Sequence, residues 1–364
     1  MTRFHIRPAS EADDARILSL IRRTPQPGRL VLNFEREPAF FAGARVSCQQ
    51  PDVWVAECGQ GGDELAAVFN IGYRSLYING APQTVRYAHD LRIDPRYRGS
   101  LLLVRMFRRL RQMLQPGEWM QTVILADNEA SLGTVGSGRA GLPTYYPAGD
   151  IDTSLLFAAP RGVRGRLRVA QASHQDLPAM QALLDEQGPR RQFFPCYQLQ
   201  SMLSGDAYFA GIRPDSFWLA WSGRQLVGMA GLWDQKAFKQ TRVLRYPPGT
   251  EWLRHGYNSW SRLLGGVHLP RRGGVLDYRS AHTVLVHDDD PAILRELLVP
   301  MVNQVRAQRA ALVLAQFRDD PLSLALHGFR RQTLHSRHFL VSFDKDPRPS
   351  LSPTQLPYVE VARL

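Results

Sequence analysis

Lysine and cysteine are scarce in this chain of 364 residues, and long apolar runs are absent. Only three of the 45 basic side chains are lysines, an arginine bias most simply explained by the codon usage of a GC-rich genome. The three cysteines, Cys48, Cys58 and Cys196, do not have the spacing of a metal site. We interpret them as plain buried thiols in a reducing compartment.

No run of about 18 apolar residues exists, so the sequence predicts no membrane-spanning helix and no membrane partner. The first residues, MTRFHIRPASEADD, lack the apolar stretch of a secretory signal, which indicates a cytoplasmic location. The sequence has neither the serine motif of hydrolases nor a zinc-like spacing of histidines, so we expect no metal.

Positive charge is concentrated in the second half. Residues 1–160 hold 18 basic and 16 acidic side chains, whereas the remainder holds 27 and 17, an excess of ten positive charges. Such an excess favours an acidic partner or substrate through its long-range field. Because no compact basic run is interleaved with aromatic residues, nucleic acid is not the expected partner.

The same order of predicted elements occurs twice. FHIRPASEADDARILSLI (4–21) and GRLRVAQASHQDLPAMQALL (165–184) each read as a strand, a Ser-containing turn, an acidic cap and an amphipathic helix. In each half a meander of strands and a βαβ unit follow, which predicts a mixed α/β fold. We place domains at 1–160 and 161–343, followed by an extended tail at 344–364.

The stretch IDPRYRGSLLLVRMF (93–107) runs from a predicted strand through a basic turn into a leucine-rich helix. A helix N-terminus offers unpaired N–H groups and a positive dipole end, and arginine adds charge-assisted hydrogen bonds. The junction is therefore a candidate anion site. The alternative is a basic turn whose arginines are simply solvated.

Together with Leu91 and Arg92 before it, this stretch resembles motif A of the GCN5-related N-acetyltransferase (GNAT) superfamily, whose turn binds the pyrophosphate of coenzyme A. The family pattern is Arg or Gln, two residues, Gly, one residue, then Gly or Ala. Aligned on Arg98, both small positions are leucines, Leu101 and Leu103; aligned on Arg96, Gly99 is kept and Leu101 takes the last position. VILADNEASLG (123–133) also resembles the family's fifth strand and the helix after it.

The resemblance implies two tandem GNAT-like domains, each a mostly antiparallel sheet flanked by helices, with acetyl-CoA or another acyl-CoA as co-substrate. The coenzyme-binding residues that it implies are Leu91, Arg92, Ile93, Arg96, Arg98, Gly99, Ser100, Leu101, Leu102, Leu103 and Asn128. In the second half the matching turn reads VHDDDPAILREL, and Asp288, Asp289 and Asp290 would repel a pyrophosphate. We expect that domain to be degenerate and to serve packing, substrate shaping or dimerisation.

The catalytic candidates are one histidine and two tyrosines. His89 shares a strand face with Leu91 by period-two alternation and titrates near neutrality, which suits a general base; the alternative is a half-buried structural histidine. Asp90 is expected on the opposite face. Tyr145 and Tyr146, in a Pro/Gly-rich stretch, are candidate general acids or packing residues, and Arg139 a candidate anion ligand or a helix-terminal cation.

We interpret the chain as an N-acyltransferase that moves an acyl group from coenzyme A to a small-molecule or peptide amine. Direct attack is expected, since no Cys or Ser with an adjacent base is evident. The alternatives are a non-catalytic acyl-CoA sensor and an interaction scaffold; a homodimer is possible. An aromatic cluster is predicted to fill the core between the halves rather than to wall a substrate pocket: Trp233, Phe238, Tyr246, Trp252, Tyr257 and Trp260.

Overall fold

The computed structural model describes residues 4–28, 30–59, 64–128, 132–133, 141–162, 165–264, 266 and 268–364, and it has the predicted mixed α/β architecture. The strands are β1 (Phe4–Pro8), β2 (Val31–Glu35), β3 (Val53–Cys58), β4 (Leu65–Asn70), β5 (Tyr73–Ile78), β6 (Ala81–Tyr87), β7 (His89–Ile93), β8 (Trp119–Leu125), β9 (Thr144–Ala158), β10 (Arg168–Gln171), β11 (Phe217–Ser222), β12 (Gln225–Trp233), β13 (Gln240–Arg245), β14 (Tyr278–Val286), β15 (Ala311–Phe317) and β16 (Arg330–Ser342). The helices are α1 (Asp14–Arg23), α2 (Phe40–Ser47), α3 (Leu102–Met113), α4 (Leu177–Gln187), α5 (Thr250–Leu264) and α6 (Pro291–Ala307).

The strands form three sheets. An antiparallel sheet has the order β1-β3-β4-β7, and a ten-stranded sheet has the order β10-β11-β12-β14-β15-β9-β16-β8-β6-β5. Two parallel pairs occur in the large sheet, β6 with β8 and β14 with β15, and each is connected through a helix, α3 or α6. Each half therefore contains one parallel crossover, as predicted. The third sheet pairs β2 with β13 across the two halves.

The two halves exchange their last strands. Strand β9, from the first half, pairs with β15 of the second half, and strand β16, from the second half, pairs with β8 of the first. The two strands also pair with each other. The large sheet is consequently continuous through both halves.

The repeated helix start has the same physical cause in each half. The N–H of Ser10 donates to Asp13 Oδ2 (3.0 Å), and that of Ser173 donates to Asp176 Oδ2 (2.7 Å). In both places the serine is followed by a short 3-10 turn and then by a helix, α1 or α4. These reciprocal caps satisfy N–H groups that a helix start would otherwise leave unpaired.

Several sequence-based boundaries differ from the structure. The strand before the basic turn is divided at Ala88 into β6 and β7, because its two parts join different sheets. Tyr145 and Tyr146 lie within the long strand β9 rather than in a loop. Strands β2 and β13 were not predicted, since their pairing brings together segments about 200 residues apart that have no local signal.

The aromatic cluster does not form one core. Trp233, Phe238 and Tyr246 are buried, but Trp252 and Trp260 are exposed. The prediction that all six side chains fill the space between the halves is therefore wrong for the two tryptophans of α5.

The segment 344–364 is docked against both halves. The guanidinium of Arg363 is buried, donates to the carbonyl oxygens of Val46 (2.6 Å) and Tyr208 (2.7 Å), and lies 3.3 Å from the centroid of the Tyr208 ring. Within the described residues, no helix combines the length and the apolar character needed to cross a bilayer.

Candidate active site

The two larger sheets separate at Ala88, where β7 and β8 diverge as a wedge. In the described part of the chain, strand β6 pairs with β8 only at Arg86–Met120 and Tyr87–Gln121, and the N–H of Ala88 then donates to the oxygen of Gln121 (2.8 Å). Beyond this point the chain continues as β7, and among the described strands only β4 pairs with it. We call the wedge between β7 and the later part of β8 the fork.

A bulge lies at the start of β7. Asp90 has a φ of 53°, and the pairing with β4 shifts between Asn70–His89 and Val68–Arg92. The extra residue breaks the period-two alternation, so His89 and Asp90 are both buried, with Nδ1 and Oδ2 3.0 Å apart. The prediction that Asp90 faces away from His89 is thus wrong, because it assumed a regular strand.

The peptide groups of β7 alternate between β4 and the fork. The N–H of Asp94 donates to the oxygen of Ala66 on β4 (2.9 Å), so the N–H and C=O of Ile93 face the fork. On that side the Ile93 oxygen accepts from Arg98 Nε (3.3 Å). The N–H of Ile93 is therefore placed to polarise a carbonyl bound in the fork.

His89 and Asp90 belong to a buried polar network that also includes Arg36 and Cys48. Arg36 NH2 lies 2.9 Å from Asp90 Oδ2, and His89 Nε2 lies 3.6 Å from Cys48 Sγ. Burial opposes protonation of His89, but the charge of Asp90 and its hydrogen bond outweigh burial, so the pKa of His89 is raised. Burial likewise opposes ionisation of Asp90, yet the charges of Arg36 and His89 hold the pKa of Asp90 well below its usual range.

Cys48 is a thiol with an adjacent base, which the sequence analysis did not find. The hydrogen bond to His89 and the positive charges nearby lower the pKa of Cys48 in spite of its burial. Its side chain is 0% exposed, and a Cβ added at Gly72 would lie 2.8 Å from Cys48 Cβ. The thiol is therefore enclosed by close packing that leaves no room for an acyl group.

The turn before α3 has the expected form of an anion site. Gly99 has a φ of 78°, which favours glycine, and the Ser100 hydroxyl accepts from the N–H of Leu102 (3.2 Å). The N–H groups of Leu103 and Val104, in the first helical turn, have no intrahelical acceptor. The helix N-terminus is thus available to a phosphate.

The side chains of the turn differ in how far they are exposed to solvent. Those of Arg98 and Leu101 are exposed, that of Leu102 is buried, and that of Leu103 is partly buried against the core. Arg96 pairs with Asp94 (2.9 Å) and with Glu64, so Arg98 is the better placed of the two arginines to bind an anion.

The remaining predicted residues are not brought to the fork. Tyr145 and Tyr146 lie on β9, two strands from β8, which corresponds to about 10 Å. The Tyr145 ring packs against Phe339 at 5.9 Å between centroids, and burial raises its pKa, so it ionises reluctantly. Asn128 donates to Gln26 Oε1 (3.0 Å). Arg139 lies outside the described residues.

Arg92 is a buried cation beside this network. Its side chain points into the protein from β7 with 7% of the residue exposed, and its Nε has no hydrogen-bond partner. Among the described residues, none forms a hydrogen bond or an ion pair with the Arg92 guanidinium. Burial, opposed by the charge of Asp90, lowers its pKa. An unpaired buried charge is costly, which makes Arg92 a candidate ligand for an anion.

Lys239, from the second half, is a further residue that the sequence analysis missed. Its Nζ donates to the oxygens of Leu364 (2.6 Å) and Ala362 (3.4 Å). Burial, together with the charge of Arg36, lowers the pKa of Lys239 to about 7, partly opposed by Asp90. The scarcity of lysine in this chain was the one signal that could have drawn attention to it.

Groups of three or more His, Cys, Asp or Glu side chains that could hold a metal ion are absent from the described part of the chain. His335 instead pairs with Asp152 (2.8 Å), and burial lowers the pKa of His338 to about 4.

Neither a protein-family model nor a curated protein sequence matches the chain, but solved structures do. A GCN5-related N-acetyltransferase from Sphaerobacter thermophilus is similar with a TM-score of 0.52 at 13% identity, over 99% of this chain and 98% of that one. One from Anabaena variabilis has a TM-score of 0.54 at 12% identity, over 93% and 72%. N-myristoyltransferase of Saccharomyces cerevisiae, solved with bound myristoyl-CoA, has a TM-score of 0.57 at 10% identity, over 98% and 85%.

Identities this low show a shared fold, which by itself does not establish a shared activity. The fork, the bulge and the glycine turn all lie in the first half of the chain. The chain therefore has the fold of the GCN5-related N-acetyltransferases.

Proposed function

We propose that this protein is an acyl-CoA-dependent N-acyltransferase, with acetyl-CoA as the expected donor, and that the fork of its first half is the active site. The observation that carries the proposal is the fork itself: a diverging strand edge, a buried histidine at its base and an anion-binding turn at its end. In the substrate acyl-CoA, the thioester carbonyl can accept a hydrogen bond from the strand edge, and the pyrophosphate can bind at the turn.

Each group at the fork has a role in direct transfer. The helix N-terminus and Arg98 bind the pyrophosphate, and the N–H of Ile93 polarises the thioester carbonyl. The amine nitrogen attacks the carbonyl carbon, the carbon–sulfur bond breaks, and the coenzyme leaves as a thiolate that takes up a proton. His89 accepts the proton that the amine loses.

The network fixes the tautomer that this role needs. In neutral His89, the Nδ1–H donates to Asp90 (3.0 Å), which leaves the lone pair on Nε2. The contact of Nε2 with Cys48 Sγ is long, at 3.6 Å, so the thiol holds this lone pair only weakly.

We further propose that the acceptor amine carries a carboxylate or another anionic group, which Arg92 binds. Arg92 follows the bulge on the same strand as His89, and its charge has no partner in the described residues. A bound anion would supply the missing counter-charge.

Calorimetric titration of coenzyme A and acetyl-CoA tests the proposal. We expect micromolar affinity for wild type and a loss of about tenfold or more for Arg98→Glu, because the substitution replaces an attraction by a repulsion. Arg190→Glu is the matched control, since Arg190 is also an exposed arginine and belongs to the second half.

The outcomes separate the candidate functions. Binding followed by transfer to an amine supports the enzyme, binding without turnover on any amine indicates the sensor, and no binding by the folded protein indicates the scaffold. Equal losses for Arg98→Glu and Arg190→Glu would mean that the coenzyme does not bind at the glycine turn.

Arg92→Met tests the acceptor separately. Because it removes an unpaired buried charge, it should leave the melting temperature unchanged or higher while raising KM for an acidic acceptor about tenfold or more. Unchanged KM, or weakened coenzyme affinity instead, would refute an anionic acceptor at Arg92.

A further inference from the structure

Helix α5 buries polar side chains and exposes apolar ones. Asn258 and Ser261 are buried, whereas Trp252, Leu253 and Trp260 are 91%, 71% and 51% exposed. A surface helix of a globular protein normally has the reverse arrangement.

The orientation of α5 is held by specific hydrogen bonds. Asn258 Nδ2 donates to the oxygen of Leu269 (2.9 Å), and the N–H of Leu269 donates back to Asn258 Oδ1 (2.9 Å). The Ser261 hydroxyl donates to the oxygen of Asn258 (3.0 Å). The paired amide of Asn258 and the paired hydroxyl of Ser261 favour an orientation in which these two side chains are buried.

The exposed apolar residues form one face. At about 100° per residue, Trp252, Leu253 and Trp260 fall within about 100° of the helix circumference. Three side chains of this size form an apolar surface that few monomeric proteins leave in water.

Positive charge lies beside this face. Residues 245–273 contain five arginines and one acidic residue, Glu251. Trp260 lines a cavity together with Arg330 and Arg331, which are both exposed.

We propose that the α5 patch, defined as Trp252, Leu253 and Trp260 with Arg330 and Arg331 beside Trp260, binds the surface of an anionic lipid bilayer. Tryptophan and leucine enter the boundary between headgroups and acyl chains, and the arginines meet the anionic headgroups. The sequence predicted no membrane partner because no segment can span a bilayer, but a contact with the bilayer surface requires no such segment.

The composition of the patch argues against two other occupants. A second copy would bring an identical excess of positive charge against the first, and like charges repel. A nucleic acid would stack its bases on the tryptophans but would leave Leu253, which is 71% exposed, without an apolar partner. An anionic lipid surface offers headgroups to the arginines and acyl chains to the apolar side chains of the patch.

Sedimentation of the full-length protein with lipid vesicles tests the proposal. We expect binding to vesicles of phosphatidylcholine with about one third phosphatidylglycerol, weaker binding to pure phosphatidylcholine, and partial release by salt. Trp252→Ser with Trp260→Ser should reduce partitioning at least about tenfold. Leu253→Ser should weaken it, whereas the matched control Leu203→Ser, at another exposed leucine, should not.

These substitutions are at exposed positions, so circular dichroism and melting temperature should be unchanged. Absence of vesicle binding by the wild type, or equal binding by the double variant, would overturn the proposal. So would a concentration-dependent dimer in light scattering that the double variant abolishes, since the patch would then join two copies. The experiment needs no coenzyme and is independent of the proposed activity.

Discussion

The two halves of the molecule place a histidine at the same point of the fold and surround it differently. In β7, His89 precedes Asp90, whose φ is 53°; in β14, His282 precedes Thr283, whose φ is 49°. In both strands the pairing register shifts beside the histidine, and its Nδ1 contacts the next side chain, at 3.0 Å and 2.7 Å. The bulge and its histidine are common to both halves.

The charged neighbour of each histidine determines which form of the ring is favoured. Asp90 raises the pKa of His89 against the effect of burial. His282 Nε2 lies 3.1 Å from Arg363 NH2, and burial together with the charge of Arg363 lowers the pKa of His282 well below its usual range. Asp90 therefore favours the protonated form of His89, whereas His282 is held neutral.

The turns that follow differ in the same sense. In the first half, the turn after β7 contains Gly99 and an exposed Arg98. In the second half, the turn after β14 contains Asp288 and Asp289, which pair with Arg190 and Arg191 at 2.7 Å in both cases. Asp290 caps the N–H of Ala292 (2.7 Å). In the second half the chain itself supplies the carboxylates at the position where the first half is open to an anion.

The largest expected effect is on the first histidine. His89→Ala should lower kcat/KM about 100-fold or more, because proton acceptance by a positioned base contributes about 10²–10⁴ to a rate. Coenzyme affinity should stay within about threefold, since the histidine does not touch the turn. Steady-state kinetics and calorimetry measure both quantities.

His282→Ala is the matched change in the second half. It should lower the free energy of unfolding by about 1–3 kcal/mol, because Arg363 and Thr283 lose a buried partner, while the activity of the folded enzyme is kept. Equal losses of activity for the two variants would mean that the halves do not differ in function.

The next effect is on the stability of the second turn. The Arg191 guanidinium is buried between Asp320 (2.5 Å) and Asp289, so Arg191→Ala should lower the free energy of unfolding by about 3–5 kcal/mol. Arg190→Ala, which breaks an exposed pair, should lower it by less than about 1 kcal/mol. Chemical denaturation measures the difference, and weakened coenzyme binding in either variant would contradict a purely structural turn.

Local patterns in the sequence predicted the parts of this comparison that depend on neighbouring residues. The repeated serine caps, the parallel crossovers and the glycine turn all follow from residues within a few positions of one another. The exchange of β9 and β16 depends on pairings across more than 150 residues and had no local signal.

The candidate site was predicted in part for the same reason. His89 was identified from its place on the strand, but its partner Cys48, and Arg36, the partner of Asp90, come from distant segments. The prediction for Asp90 was wrong, because it placed this side chain by alternation along a regular strand. A one-residue bulge cannot be deduced from such alternation.

A smaller effect is expected on pH dependence. The base works in its neutral form, so activity should rise with pH through the raised pKa of His89. Asp90→Asn removes the charge that raises this pKa, and the acid limb of kcat/KM should move to lower pH by about one unit. A limb that does not move, or moves to higher pH, would show that Asp90 does not tune His89. Melting temperatures at each pH control for unfolding.

The smallest effect is expected for Cys48, and it distinguishes direct transfer from a covalent route. The Cys48, His89 and Asp90 side chains have the order of a nucleophile, its base and an orienting carboxylate, yet the thiol is 0% exposed and packed against Gly72. Cys48→Ala should therefore keep kcat within about threefold, at a cost in stability of about 1 kcal/mol from the lost packing. Cys58→Ala and Cys196→Ala are the controls among the other thiols. If Cys48→Ala instead loses activity as completely as His89→Ala, and mass spectrometry of the wild type detects an acyl group on Cys48, the acyl group passes through the thiol and the packing around Gly72 must open during turnover.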